Sequence, residues 1–214
     1  MDHYSLGQQI IPLVGIPLIF VFAITVHETA HGWIAFQCGD PTAKLLGRLT
    51  LNPIKHIDPV GTIIVPAVLF FLGGFIFGWA KPVPITWRNL KHPRRDMALV
   101  AAAGPLANLG MAFLWITVSK LGIDSPHMLF VYTMQMGASI NLVLMLLNLL
   151  PIPPLDGSRI VASLLSPRLA YRFNQLEVYG FLILALLLAS GLLQRLLGPL
   201  LQGLLFVFFR IFDL

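Results

Sequence analysis

Charged side chains are scarce in this sequence. Asp, Glu, Lys and Arg make up 11% of the 214 residues, whereas 57% are hydrophobic, and the mean hydropathy is +0.84. A soluble domain of this length does not need so much apolar surface, and several apolar runs approach the length that crosses about 30 Å of hydrocarbon. Lipid tolerates helices and closed barrels, and these runs do not alternate as barrel strands do. The composition therefore predicts an all-α polytopic membrane protein.

Cysteine and acidic residues are also rare. Cys38 is the single cysteine, which excludes an intrachain disulfide, and 9 acids stand against 14 Lys and Arg. The sequence pI is about 9.7. In a soluble chain this balance would suggest nucleic acid, but here the basic residues lie between apolar runs, as in cytoplasmic loops of membrane proteins. We expect a lipid bilayer as partner and no nucleic acid.

Apolar runs alternate with short polar connections. The predicted membrane helices cover residues 8–38, 97–119, 128–150 and 177–194, with 59–80 and 197–212 as weaker candidates. We thus expect about five to six membrane helices and a possible small β element near residues 45–58. No polar stretch is long enough for a separate soluble domain. The chain is predicted to be a single integral-membrane domain, residues 1–214, with a core over 8–165 and C-terminal helices over 176–214.

The first apolar run ends in a cluster of polar groups. His27, Glu28 and His31 form an HExxH motif, in which residues four apart lie on one face of a helix. The two imidazoles can hold one metal ion while the glutamate acts as general base, as in zinc hydrolases. Ionisable groups inside a membrane segment are costly and indicate function. The alternative is a histidine pair solvated beyond the helix end, with Glu28 as an ordinary cap.

Catalytic zinc usually has three protein ligands and an open position. The best third candidate is Asp156, which follows a full apolar run in the proline-rich segment 151–157. Prolines break a helix, and irregular backbone at membrane depth is tolerated where it is buried or lines a wet cavity. The alternative role for Asp156 is to cap the next helix. Asp58 is the reserve candidate, although a turn or cap role is favoured for it.

Two asparagines in or beside apolar runs need hydrogen-bond partners. Asn108 lies within the run 97–119, and Asn148 lies eight residues before Asp156. Either amide could bond a neighbouring helix, or contact a substrate carbonyl and its developing oxyanion. The structural role is favoured for Asn108, and both roles stay open for Asn148.

These motifs together resemble the site-2 protease family of intramembrane zinc metalloproteases. The matching segments are His27-Glu28-Thr29-Ala30-His31, Gly104-Pro105-Leu106-Ala107-Asn108, Asn148-Leu149-Leu150-Pro151 and Leu155-Asp156-Gly157. The resemblance implies that His27, His31 and Asp156 bind one Zn²⁺ ion and that Glu28 is the base. It further implies that Asn148 contacts the substrate or the transition state. The sequence contains no PDZ or CBS domain, so the resemblance says nothing of regulation.

A shared metal ion constrains the topology. The histidines lie in the C-terminal half of the first helix, and Asp156 follows the end of the run 128–150, so these ends must share one side. Three apolar runs lie between the histidines and Asp156, and three full crossings would put the two on opposite sides of the membrane. The run 59–80 is therefore predicted to be re-entrant or half-depth. The connections with three, five and three Lys or Arg then share one side, which the positive-inside rule makes cytoplasmic. We expect an extracytoplasmic N-terminus and an active site nearer the cytoplasmic face of the cell membrane.

The function predicted from the sequence is hydrolysis of peptide bonds in or near transmembrane segments of other membrane proteins. The alternative is a metal-binding membrane transporter or sensor that does no hydrolysis, which would use the same ligands without needing Glu28. Substrate identity and oligomeric state have no signature in the sequence.

Overall fold

The computed structural model describes residues 6–65, 68, 81–122 and 128–212. Over these residues the chain is helical, with α1 Leu6–Gln37, α2 Thr42–Leu45, α3 Pro93–Leu121, α4 Met128–Asn148, α5 Asp156–Leu164, α6 Pro167–Asn174, α7 Glu177–Ala189 and α8 Leu192–Phe212. Short 3-10 turns form at Pro53–Lys55 and Trp87–Asn89, and a π-helical turn at Pro59–Ile64. The predicted all-α class is confirmed.

Four of these helices are long and apolar enough to cross a bilayer, and the bent pair of α6 and α7, with 57° between them, would add a fifth only as one broken span. The four stretches are Gly15–Gln37, Pro93–Leu121, Phe130–Asn148 and Leu192–Phe212. Large apolar side chains stay exposed on their outer surfaces, for example Leu18, Leu106, Phe113 and Phe206. Exposed apolar surface on this scale suits contact with lipid, so the chain is a multi-pass membrane protein.

The apolar core lies between α3, α4 and α8. Its buried side chains are Ala112, Ile116, Ala138, Leu142, Met145 and Phe208. Small residues on α3 and α4 let the two helices approach closely, which is how helices associate in lipid. The helix α3 also packs against α1 and α5, so it is the central helix around which the polar residues gather.

The segment between α1 and α3 leaves and returns at the same end of α1. The Lys91 amide donates to the Cys38 carbonyl at 3.1 Å, and the Lys81 amide donates to the His56 carbonyl at 2.9 Å. A single crossing would separate such pairs by about 30 Å. The return agrees with a re-entrant segment near 59–80, although residues 66–67 and 69–80 lie outside the described residues.

Two local expectations are wrong. No residue of 45–58 forms a strand. Gly47, with φ of +63°, ends α2, and Pro53 opens a 3-10 turn. The predicted break between 194 and 197 lies instead at Ser190 and Gly191, where the glycine adopts φ of +71°. Pro199 lies inside α8, which runs over 21 residues from Leu192 to Phe212 instead of the short run 197–212.

Candidate metal centre

His27 and His31 lie one turn apart on α1, and their rings meet edge to face. Their Nε2 atoms are 3.0 Å apart. Both side chains are buried, and both lie within the stretch of α1 that is apolar enough to span a membrane. The helical spacing alone brings these two nitrogens together, because residues four apart share a face.

Asp156 comes to the histidines from the far part of the chain. Its Oδ2 lies 3.1 Å from Nε2 of His27 and 3.2 Å from Nε2 of His31. Asp156 is the first residue of α5, and Leu155 is the N-cap residue before it. No side-chain hydrogen bond caps this helix. Asp156 therefore does not cap α5, which was the alternative role that its sequence position left open.

The opposite edge of each imidazole is held by a neighbouring helix. Nδ1 of His27 donates to Oδ1 of Asn108 at 2.6 Å, and Nδ1 of His31 donates to the Val100 carbonyl at 2.7 Å. A proton on each Nδ1 leaves a lone pair on each Nε2, so both lone pairs face the Asp156 carboxylate. With both imidazoles neutral, these three electron-pair donors form a set that one cation can bridge.

The spacing of the three atoms fits zinc. Ligands 2.0–2.1 Å from a tetrahedral ion lie about 3.3 Å from one another, close to the separations of 3.0, 3.1 and 3.2 Å found here. Two imidazoles and one carboxylate form a donor set that catalytic zinc uses, with the fourth position left for water or substrate. Gly104 makes room, since a Cβ there would lie 2.4 Å from Nε2 of His31 and 2.5 Å from that of His27.

Asn108 and Asn141 form a second layer behind His27. Nδ2 of Asn108 donates to Oδ1 of Asn141 at 2.9 Å, and both residues are fully buried. Both ends of the Asn108 amide have hydrogen-bond partners within the fold, which agrees with the favoured structural role. Sequence reasoning missed Asn141, although an amide inside an apolar run was itself the signal.

Glu28 stands beside the histidines. One side-chain donor atom each from His27, Glu28 and His31 lies within 4.8 Å of the others. Oε2 of Glu28 accepts a hydrogen bond from the Val83 amide at 2.8 Å. Val83 could not be singled out from sequence, because this contact joins residues 55 apart. A backbone donor of this kind fixes the direction in which the carboxylate points.

The segment 81–86, which carries the Val83 amide and forms no helix or strand, is held at both ends by buried charged side chains. Nη2 of Arg48 donates to the Lys81 carbonyl at 2.8 Å, and Oδ2 of Asp40 accepts from the Thr86 amide at 2.6 Å. Burial raises the pKa of Asp40, but hydrogen bonds from Thr42, Asn89 and Thr86 outweigh it and keep the pKa below its usual value. The segment is therefore held firmly next to Glu28.

Two further candidates lie outside this cluster. Nδ2 of Asn148 donates to the Leu144 carbonyl of its own helix at 3.0 Å, and within the described residues no hydrogen bond joins it to the histidines or Asp156. Asp58 accepts from the Val60 and Gly61 amides at 3.0 and 2.7 Å and so caps the π-helical turn. This is the cap role favoured for Asp58.

Comparison with known proteins places the chain among metallopeptidases. The family model "Peptidase family M50" matches residues 115–189. The chain is 40% identical over 215 residues to the "Putative zinc metalloprotease YwhC" of Bacillus subtilis, covering 94% of this chain and 90% of the relative. It is 31% identical over 177 residues to the "Putative zinc metalloprotease Rip2" of Mycolicibacterium smegmatis, covering 82% and 67%.

A more distant relative is the "Stage IV sporulation protein FB" of Bacillus subtilis, 28% identical over 174 residues and covering 79% of this chain and 58% of the relative. No solved structure matches. The first of these relatives shares 40% identity over nearly the whole length of both proteins. This chain belongs to the zinc metalloproteases of peptidase family M50.

Proposed function

We propose that this chain is an intramembrane protease in which His27, His31 and Asp156 hold one zinc ion and Glu28 is the general base. The observation that carries the proposal is the approach of the Asp156 carboxylate to 3.1 and 3.2 Å from the two imidazole nitrogens. The substrates would be membrane proteins, cleaved in or near their transmembrane segments, because the centre lies on a helix apolar enough to span a bilayer.

Each protein group has a distinct task in this reaction. Zinc, when bound, supplies a Lewis acid that activates water and polarises the peptide carbonyl. Glu28 takes the proton from the attacking water and passes it to the leaving amine. The Val83 amide holds the Glu28 carboxylate in position between these two transfers. Asn148, half-buried at the end of α4, stays a candidate contact for the substrate carbonyl.

The substrate must present an extended stretch, because a transmembrane helix uses its own amides and carbonyls internally. Segment 81–86 forms no helix or strand and lies next to Glu28, where its free backbone groups can pair with such a stretch. Its attachment to Arg48 and Asp40 keeps it from following the substrate as it leaves.

The active site is proposed to lie nearer the cytoplasm, with the N-terminus outside. The centre lies where α1 and α4 end and α3 and α5 begin. Eleven of the 14 Lys and Arg lie in the connections 39–95 and 158–175 at this end, in groups of three, five and three. Basic residues in short loops favour the cytoplasmic side.

The orientation is tested by cysteine labelling in a Cys38→Ser background. Asn89→Cys is expected to react with a membrane-impermeant maleimide only after the cells are opened, whereas Ser125→Cys, between α3 and α4, is expected to react in intact cells. The proposed topology is wrong if both cysteines react from the same side.

The rival reading, a metal transporter or sensor, is disfavoured by membership of a peptidase family. A transporter also needs polar sites along its path, and here the His, Asp and Glu residues of the centre gather near one end of the helices. Zinc flux into proteoliposomes without cleavage of any membrane-protein substrate would favour the rival.

Zinc content of purified Asp156→Ala tests the ligand set. Because removing one of three ligands leaves two imidazoles, bound zinc is expected to fall from about one ion per chain to a small fraction. Asp58→Ala removes a carboxylate that only caps a turn and should keep its zinc. Metal analysis at matched protein concentration decides the outcome, and wild-type zinc in Asp156→Ala would refute the assignment.

A further inference from the structure

A cavity lies beside the segment 153–158, which carries Asp156. It has a volume of about 420 Å³ and is enclosed by α5, α6, the start of α3 and the start of α7. Its lining includes Arg94, Arg159, Trp87, Ser158, Pro154 and Glu177. Neither the metal ligands nor Glu28 contribute to it, so the proposed hydrolysis does not use this space.

The cavity lies at the level of the membrane surface. The stretch of α3 that can span the bilayer begins at Pro93, next to Arg94, and the spanning stretch of α4 ends at Asn148, shortly before Pro153. The helix α7 begins at Glu177, which also lines the cavity. One end of each of these three apolar helices therefore lies near the cavity. Lipid headgroups lie at the depth where membrane helices begin and end.

The charge of the cavity is positive. Two guanidinium groups line it, against the single carboxylate of Glu177. Arg94 donates one hydrogen bond to the Leu165 carbonyl, and a guanidinium has further N–H groups to offer. Arg159 is exposed and has no hydrogen bond or ion pair to any residue the structure describes. Two arginines whose donors face an open cavity are suited to a phosphate group.

The wall formed by α6 continues this surface. Arg168 and Arg172 lie four apart and are both exposed. Leu169 and Tyr171 on the same helix are 53% and 68% exposed. A short helix with basic and apolar side chains both exposed is typical of one that lies in the headgroup region.

We propose that this cavity binds the phosphate headgroup of an anionic phospholipid from the surrounding leaflet. Arg94 and Arg159 contact the phosphate, and the apolar side chains of Met97, Ala162 and Ala170 line the rest of the cavity. The apolar side chains favour a lipid over a free phosphate ion, because only the lipid has apolar groups to contact them. The floor contains Pro153, Pro154 and Ser158, in the segment that carries Asp156, so a bound lipid would also brace that segment.

The test uses the full-length protein in detergent micelles. It is titrated with short-chain phosphatidylglycerol, short-chain phosphatidylcholine and inorganic phosphate, and bound ligand is counted by native mass spectrometry. Phosphatidylglycerol is expected to bind most tightly. Since each arginine near an anionic headgroup adds modestly to affinity, Arg159→Gln should weaken this binding about fivefold and the Arg94→Gln, Arg159→Gln double variant about 30-fold.

Arg195→Gln is the matched control, because Arg195 is an exposed arginine on α8 that does not line the cavity. It should bind phosphatidylglycerol as the wild type does. Arg159→Gln removes no hydrogen bond or ion pair within the described residues, so its result stands even if the double variant folds poorly. Equal binding of both lipids, phosphate binding as tight as the lipid, or an unchanged Arg159→Gln would each overturn the proposal. Metal binding and cleavage do not enter this measurement.

Discussion

Glu28→Gln is expected to stop cleavage while leaving the bound zinc at its wild-type level. The glutamine keeps the size of the side chain and an oxygen that can accept from the Val83 amide at 2.8 Å. It cannot take up a proton from water at neutral pH. Loss of a positioned general base lowers the rate by roughly 10²–10⁴-fold. The measurement is cleavage of a detergent-solubilised membrane-protein substrate, with metal analysis of the same preparation.

Asp58→Asn provides the control for this experiment, because the Asp58 carboxylate caps a turn outside the metal centre and asparagine caps equally well. It should cleave at the wild-type rate. Wild-type activity in Glu28→Gln would exclude Glu28 as the base. Loss of both zinc and activity would mean that Glu28 is needed to hold the metal, contrary to its proposed role.

Gly104→Ala is expected to abolish zinc binding by adding one methyl group. The new Cβ would lie 2.4 Å from Nε2 of His31 and 2.5 Å from that of His27. Neither ring can retreat easily, because Asn108 and the Val100 carbonyl hold their Nδ1 atoms. The methyl therefore occupies the space where the two nitrogens converge. We expect bound zinc well below one ion per chain and no detectable cleavage.

Gly110→Ala makes the same chemical change two turns further along α3, where a Cβ would meet nothing within 4 Å. Because alanine favours helix more than glycine by about 1 kcal/mol, this control should be at least as stable as the wild type and should keep its zinc. Thermal unfolding of both variants separates loss of the site from loss of the fold. Normal zinc content in Gly104→Ala would show that the imidazoles do not converge as described.

The local features of the site could be predicted from the sequence. The spacing of His27 and His31 implies that their rings share a helix face, and the structure has Nε2 of one 3.0 Å from Nε2 of the other. The low charge and the long apolar runs likewise indicated membrane helices. Helical periodicity and hydropathy depend on neighbours within one or two turns, so both can be read from the chain itself.

The predicted β element near 45–58 does not form, because contacts with distant residues decide the local structure there. The Thr50 carbonyl, within the predicted strand, accepts from the side chains of Thr29 and His56 instead of a strand partner. Tertiary contacts of this kind override local preference.

Distant contacts were decided by the tertiary structure alone. Asp156 could have capped its helix, and only the packing of α5 against α3 brings its carboxylate to His27, 129 residues earlier. Val83 had no distinguishing signal in the sequence. The crowding at Gly104 and the pairing of Asn141 with Asn108 depend on what lies across the helix interface. The sequence by itself determined which side chains could bind a metal. The packing of helices in the membrane decided which of them meet, since that depends on where the chain returns and not on local pattern.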